Sequence, residues 1–161
     1  RAAACSGATP QRRQCHHRRM DDANELQRFV LAQAPVFDDV LAELAAGAKR
    51  SHWMWFVFPQ LRGLGHSATA EHYGLASLAE AHAYAAHPLL GARLRRCVDL
   101  LLQARSSDAR TILGPVDALK LHSCLTLFAL AVPEEPRFRA GLERFCGGVH
   151  DAGTLRLLGP R

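Results

Sequence analysis

Apolar residues recur along this chain at the spacing of helices, and no stretch alternates in the two-residue rhythm of a strand. Leu26, Phe29 and Val30 make one apolar face of a first helix beginning at Asp22, and Pro35 disfavours its continuation through Ala34. A second helix follows from about Val36 to Ala46. Val36, Phe37, Val40, Leu41 and Leu44 form its apolar side, Asp38, Asp39 and Glu43 face out, and Gly47 ends it. Ser67 or Thr69 starts a short helix through Tyr73, and Ser77 with Glu80 forms a capping-box pattern for a helix that stops near His87. Pro88 opens a long helix to about Ala104, and Asp108 caps a short turn ending at Gly114. Pro115 opens a helix to Val132, and another runs from about Glu134 to Phe145, where Gly147 and Gly148 stop it. Asp151 caps a last helix through Leu158. The pattern predicts an all-α fold of seven to nine helices in one globular domain spanning residues 20–161.

One segment resists this reading. Lys49 to Gln60 runs KRSHWMWFVFPQ, and Trp53 to Phe58 is apolar on every face. Such a run must be buried, so periodicity does not separate a short helix from a strand. Ser51 is placed to cap a helix there, and Pro59 ends either element.

Composition narrows the classes. Apolar residues are 48% of the 161 and charged residues 22%, which suits a globular domain, and no apolar run approaches the ~18 residues of a membrane span. The net charge of +5 suggests nucleic acid until its placement is examined. Arg1, Arg12, Arg13, Arg18 and Arg19 all lie in residues 1–19, which hold no acid. Removing these five from the 20 basic residues leaves 15 against 15 acidic ones, so the domain is neutral and nucleic-acid binding is disfavoured. Met20 is the expected natural start, with residues 1–19 an artefactual or disordered extension. The arginine-rich head also fits a transit peptide, although it shows no amphipathic helix. Cys97, Cys124 and Cys146 sit in apolar segments without metal-type spacing, as expected of free thiols in a cytoplasmic protein.

The stretch KRSHWMWFVFPQLRGLG from Lys49 resembles the signature of the bacterial family catalogued as domain of unknown function 1810. EHYGLASLAEAHAYAAHPLLGARL from Glu71 and LKLHSCLTLFALA from Leu119 agree with it, so the resemblance covers about Asp22 to Leu158. It implies an all-helical fold, and hence a helix within Ser51 to Phe58. It implies no activity, cofactor or catalytic residue. The family's usual residue at the position of His122 is arginine, which argues against His122 as a base. The head has no counterpart in the family.

Three groups of residues are candidates for chemistry. Lys49, Arg50, Ser51 and His52 stand where a helix N-terminus would offer free N–H groups to an anion; alternatively, the two cations are solvated and Ser51 only caps. Trp53, Trp55, Phe56 and Phe58 serve as core or as a stacking platform, and Trp55 is the residue expected to reach a pocket. Lys120, His122, Ser123 and Thr126 fall on one arc of about 160° of a helix otherwise apolar, a seam that faces either water or a polar cleft. His66, His72, His82, His87 and His150 show no metal-binding spacing, Asp117 and Glu71 define no carboxylate pair, and Arg62 to His66 reads as a plain glycine turn.

The leading expectation is a small enzyme or binding protein for an anionic, nucleotide-like ligand. Lys49, Arg50 and Lys120 would neutralise it, Ser51 and Ser123 would hydrogen-bond it, Trp55 and Tyr73 would wall it, Gln60 would orient it, and His52 would be the acid–base group. The competing expectation is a non-catalytic protein–protein interaction module. The sequence assigns no cofactor and no metal.

Overall fold

The computed structural model describes residues 25–160. The expected start at Met20, the head at residues 1–19 and the helix start at Asp22 lie outside them.

Within these residues the regular elements are all helices. Its ten helices are α1 (residues 25–33), α2 (Phe37–Ala45), α3 (Met54–Val57), α4 (Ala68–Tyr73), α5 (Leu78–Ala86), α6 (Leu90–Gln103), α7 (Ala109–Leu113), α8 (Pro115–Ala131), α9 (Pro136–Cys146) and α10 (Ala152–Leu158). The count exceeds the expected range by one because the Asp108-capped turn is a helix in its own right. The one pairing outside helices is an isolated parallel bridge between Leu61 and Leu75.

The caps follow the sequence closely. Ser67, Ser77, Asp108 and Asp151 each accept a backbone N–H in the first turn of α4, α5, α7 and α10, at 2.9–3.1 Å. Pro115 sits at the first turn of α8, and Gly147 ends α9 with φ +61°. His87, not Pro88, organises the start of α6: its Nδ1 accepts from the N–H groups of Leu89 and Leu90 at 3.1 and 3.2 Å.

α8 lies at the centre, packed by α5, α7, α9 and α10. It buries Leu121, Cys124, Leu125, Leu127 and Phe128, which explains why its sequence is apolar nearly all round. The aromatic segment is a helix of only four residues, α3, whose flanking Trp53 and Phe58 are buried together with Met54 and Val57.

A four-residue helix cannot satisfy its own backbone. The carbonyl of Phe56 is met by Gln33, whose Nε2 donates to it at 2.7 Å and to Tyr84 Oη at 3.0 Å. Arg93 Nη1 donates in turn to Gln33 Oε1 at 3.3 Å. Gln33 is 1% exposed on the same face of α1 as Leu26 and Phe29. Replacing it by leucine keeps the volume roughly and removes every one of these bonds. We expect Gln33→Leu to lower unfolding stability by about 1–3 kcal/mol in urea titrations, because Phe56 O and Tyr84 Oη lose a buried partner. An unchanged midpoint would show that the network contributes nothing.

Candidate functional site

The approach to α3 carries the first group of predicted residues. Ser51 does not cap the helix; Trp53 occupies the N-cap position without a side-chain bond. The reason is Glu43, from the last turn of α2. Its Oε1 accepts the N–H of Ser51 at 2.7 Å and that of Arg50, and its Oε2 accepts Ser51 Oγ at 2.6 Å and Trp53 Nε1 at 3.3 Å. The N–H groups expected to hold a ligand anion are thus taken by the protein's own carboxylate. Glu43, assigned to the solvent face by periodicity, instead turns toward the following segment. Burial works against its charge, but the bonds from Ser51, Arg50 and Trp53 prevail and hold its carboxyl below the usual range.

Lys49 and Lys120, far apart in sequence, meet through Asp117. Lys49 Nζ lies 2.9 Å from Asp117 Oδ2, and Lys120 Nζ lies 3.5 Å from Oδ1. Both ammonium groups also sit on indoles: Lys49 is 5.0 Å from the Trp53 ring centre and Lys120 is 4.5 Å from that of Trp55. The lysine side chains are largely covered, at 9% and 20% exposure. Of the α8 seam, Lys120 therefore packs beside the tryptophan segment.

Between them lies a narrow recess of about 10 Å³ lined by Trp55, Phe58, Gln60, Ala70, Tyr73, Gly74 and Lys120. Four predicted site residues, Trp55, Gln60, Tyr73 and Lys120, share this wall. Arg50, Ser51 and His52 are exposed and do not line it. Tyr73 is fixed by Phe56, whose ring centre is 5.4 Å away, and by Phe29 at 5.9 Å.

The rest of the seam turns away from the recess toward the start of α10, and His122 also borders an open hollow. Ser123 Oγ donates to Leu119 O at 3.2 Å and to Asp151 Oδ2 at 3.1 Å. Thr126 Oγ1 accepts the Asp151 N–H at 2.8 Å, and His122 Nε2 is 2.7 Å from Val149 O. These three side chains seat the start of α10, so Ser123 is a structural residue remote in role from Lys120. Asp151 is desolvated, yet its bonds from Thr154 and Ser123 keep its carboxyl below the usual range.

Two larger open hollows exist. One, of about 380 Å³, runs along α7, α8 and the end of α9 past Arg110, Leu119, His122 and Phe145. The other, of about 480 Å³, lies where α2 and α6 end. The first brings Arg110, His122 and Phe145 together, but Arg110 is paired with Asp108 at 3.3 Å, and the second is lined by no aromatic residue. Among the described residues no group of three or more His, Cys, Asp or Glu is placed to hold a metal ion. Cys97 and Cys124 are buried free thiols, and burial pushes Cys97 up to about 12.

The family described as "protein of unknown function (DUF1810)" matches residues 23–158. A crystal structure of the conserved hypothetical protein Rv1873 from Mycobacterium tuberculosis is similar to this chain at 53% identity and a TM-score of 0.82. The match covers 83% of this chain and 96% of that one. No curated protein matches the chain.

Glu43 offers a test of this arrangement. Its carboxyl is depressed in the folded state, so its stabilisation is complete above the unfolded value of about 4.3 and fades as pH falls through the folded value. Glu43→Gln should therefore be less stable than wild type at pH 7, by on the order of 1 kcal/mol. The gap should narrow below about pH 4. A gap independent of pH in urea titrations would show that the charge plays no part.

Proposed function

We propose, for a chain that belongs to the DUF1810 family of proteins of unknown function, a binding role: it takes up a small organic anion with a flat ring, nucleotide-like in kind, at the recess between α3, α4 and α8. The observation that carries this reading is the shared carboxylate. Lys49 and Lys120 divide Asp117 between them, which leaves one positive charge unmatched beside an aromatic wall. Counting Arg50 and Glu43 does not change the balance: three cations stand against two carboxylates. A partly buried cation with half a partner favours an incoming phosphate or carboxylate.

The division of labour follows from position. Lys120 meets the anion, Trp55 and Tyr73 bracket the ring, and Gln60 supplies an amide for orientation. Lys49 keeps Asp117 in place. Arg50 adds long-range attraction from the surface. Ser51 and Ser123 are engaged within the protein and are given no ligand contact. His52 lies outside the recess, so no acid–base step is assigned to it. The free thiols are in keeping with a cytoplasmic setting.

A second reading, a protein-docking surface, draws on Val116 and Leu119, which are 64% and 70% exposed beside the hollow along α8. One experiment separates the two. Thermal shifts of the full chain against nucleoside monophosphates, aromatic carboxylates and inorganic phosphate should yield a ligand. At ~100 times its dissociation constant it should raise the midpoint by on the order of 5–10 °C. Lys120→Ala and Trp55→Ala should each abolish that shift, while His52→Ala should leave it intact. Shifts from no anion, or shifts indifferent to Lys120, would remove the recess reading and leave the docking surface.

A further inference from the structure

We infer that residues 62–74 form a hinged flap over the recess, latched shut by Arg28, and that its opening admits the ligand. The gating role rests on the binding reading above; the existence of the flap does not.

The segment leaves and rejoins the fold at one place. The Arg62 N–H donates to Leu75 O at 2.8 Å, and the Leu75 N–H donates to Gln60 O at 3.0 Å, so the two ends are tied together as in an Ω-type loop. Both Leu61 and Leu75 are buried, which anchors this base in the core. Beyond it the burial stops: no residue from 62 to 73 is buried, and α4 contributes no buried side chain. Segments with so few buried apolar contacts open at low cost.

The flap is nevertheless stiff within itself. Arg62 Nε donates to Glu71 O and its Nη2 to Gly74 O, both at 3.0 Å. Gly74 is packed so closely on Arg62 that a Cβ there would lie 2.7 Å from Arg62 Cα, and one on Gly65 would lie 2.6 Å from Ala70 Cβ. These contacts are internal to residues 62–74, so the segment moves as one body, with the freedom at its base.

What holds it down is a polar latch together with a few partly buried apolar contacts, among them Leu64, which packs against the core and beside Gly153. Arg28, on α1, donates from Nε to His72 O at 2.9 Å and from Nη2 to Gly74 O at 3.1 Å. Glu80 steadies the guanidinium at 2.8 Å. On the inner side, Tyr73 leans on Phe29 and Phe56; on the outer side, half-exposed Leu157 approaches Gly63. The inner face of the flap supplies Ala70, Tyr73 and Gly74 to the recess, opposite Trp55, Phe58, Gln60 and Lys120. Closed, the recess has a volume of about 10 Å³, room for little more than one water and far below the ~300–1,000 Å³ of common ligand sites. Lifting this wall parts Tyr73 from Phe56 and enlarges the space while α3 and α8 stay seated in the core.

Backbone relaxation dispersion on the full chain tests this. Residues 62–74 should share one exchange rate in the microsecond-to-millisecond range, while Leu61, Leu75 and the core of α8 should show none. Arg28→Lys keeps a cation for Glu80 but loses the fork that spans two carbonyls. It should raise the open population about tenfold, the equivalent of one lost hydrogen bond. As a second measurement, the thiol of Gln60→Cys should be labelled about tenfold faster when Arg28→Lys is added, by the same loss. No shared exchange in the flap, or labelling indifferent to Arg28, overturns the proposal. Adenosine 5′-monophosphate separates it from the binding reading. Shared exchange that this probe slows supports both. Shared exchange with no response to any anion leaves the flap and removes its ligand. Binding to a segment that shows no exchange removes the flap alone.

Discussion

A helix of four residues has no interior, and α3 is such a helix set into the core, with Met54, Val57 and the flanking Trp53 and Phe58 buried. Its side chains favour burial strongly, but its backbone N–H and carbonyl groups arrive there without helical partners. The surrounding polar residues answer that constraint. Glu43 receives the chain ahead of the helix, and Gln33 with Tyr84 receives the carbonyl of Phe56. Arg93 completes the set by donating to Gln33. The aromatic face of the recess is consequently fixed from behind, which makes Trp55 a firm wall and not a mobile surface ring.

The same logic explains the charge cluster. Lys49 and Lys120 are drawn to Asp117, and each also covers a tryptophan, so their stems stay packed while their ammonium groups share one carboxylate. Burying two cations on a single anion is an arrangement that stability alone does not favour. The recess beside them is where that imbalance faces outward, and Gln60 and Tyr73 complete its rim.

Most of the architecture was legible from the sequence because it is written in local terms. Ser67, Ser77, Asp108, Asp151 and Pro115 mark helix starts through bonds within one turn, which sequence spacing encodes directly. Glu43 was not legible: it lies next to Leu44 on the margin of the apolar face, and only the chain returning at Arg50 to Trp53 turns it inward. Gln33 left a fainter trace, as a polar residue at the spacing of Leu26 and Phe29 on the buried face of α1. Asp117 gave no signal, since its value arises from a lysine 68 positions earlier in the chain. The Lys120–Ser123 seam was visible, but its division between two destinations depends on where α10 lands.

That landing has a consequence of its own. α10 leaves Leu155 and Leu157 partly exposed and is fastened through Asp151 to Ser123 and Thr126. Grease alone would let so short a piece slide by a turn with little loss. Directional bonds oppose this, because another seating gives up the bonds of Asp151 to Ser123 and Thr126, at a cost on the order of 1 kcal/mol each. α10 is therefore keyed rather than glued to α8.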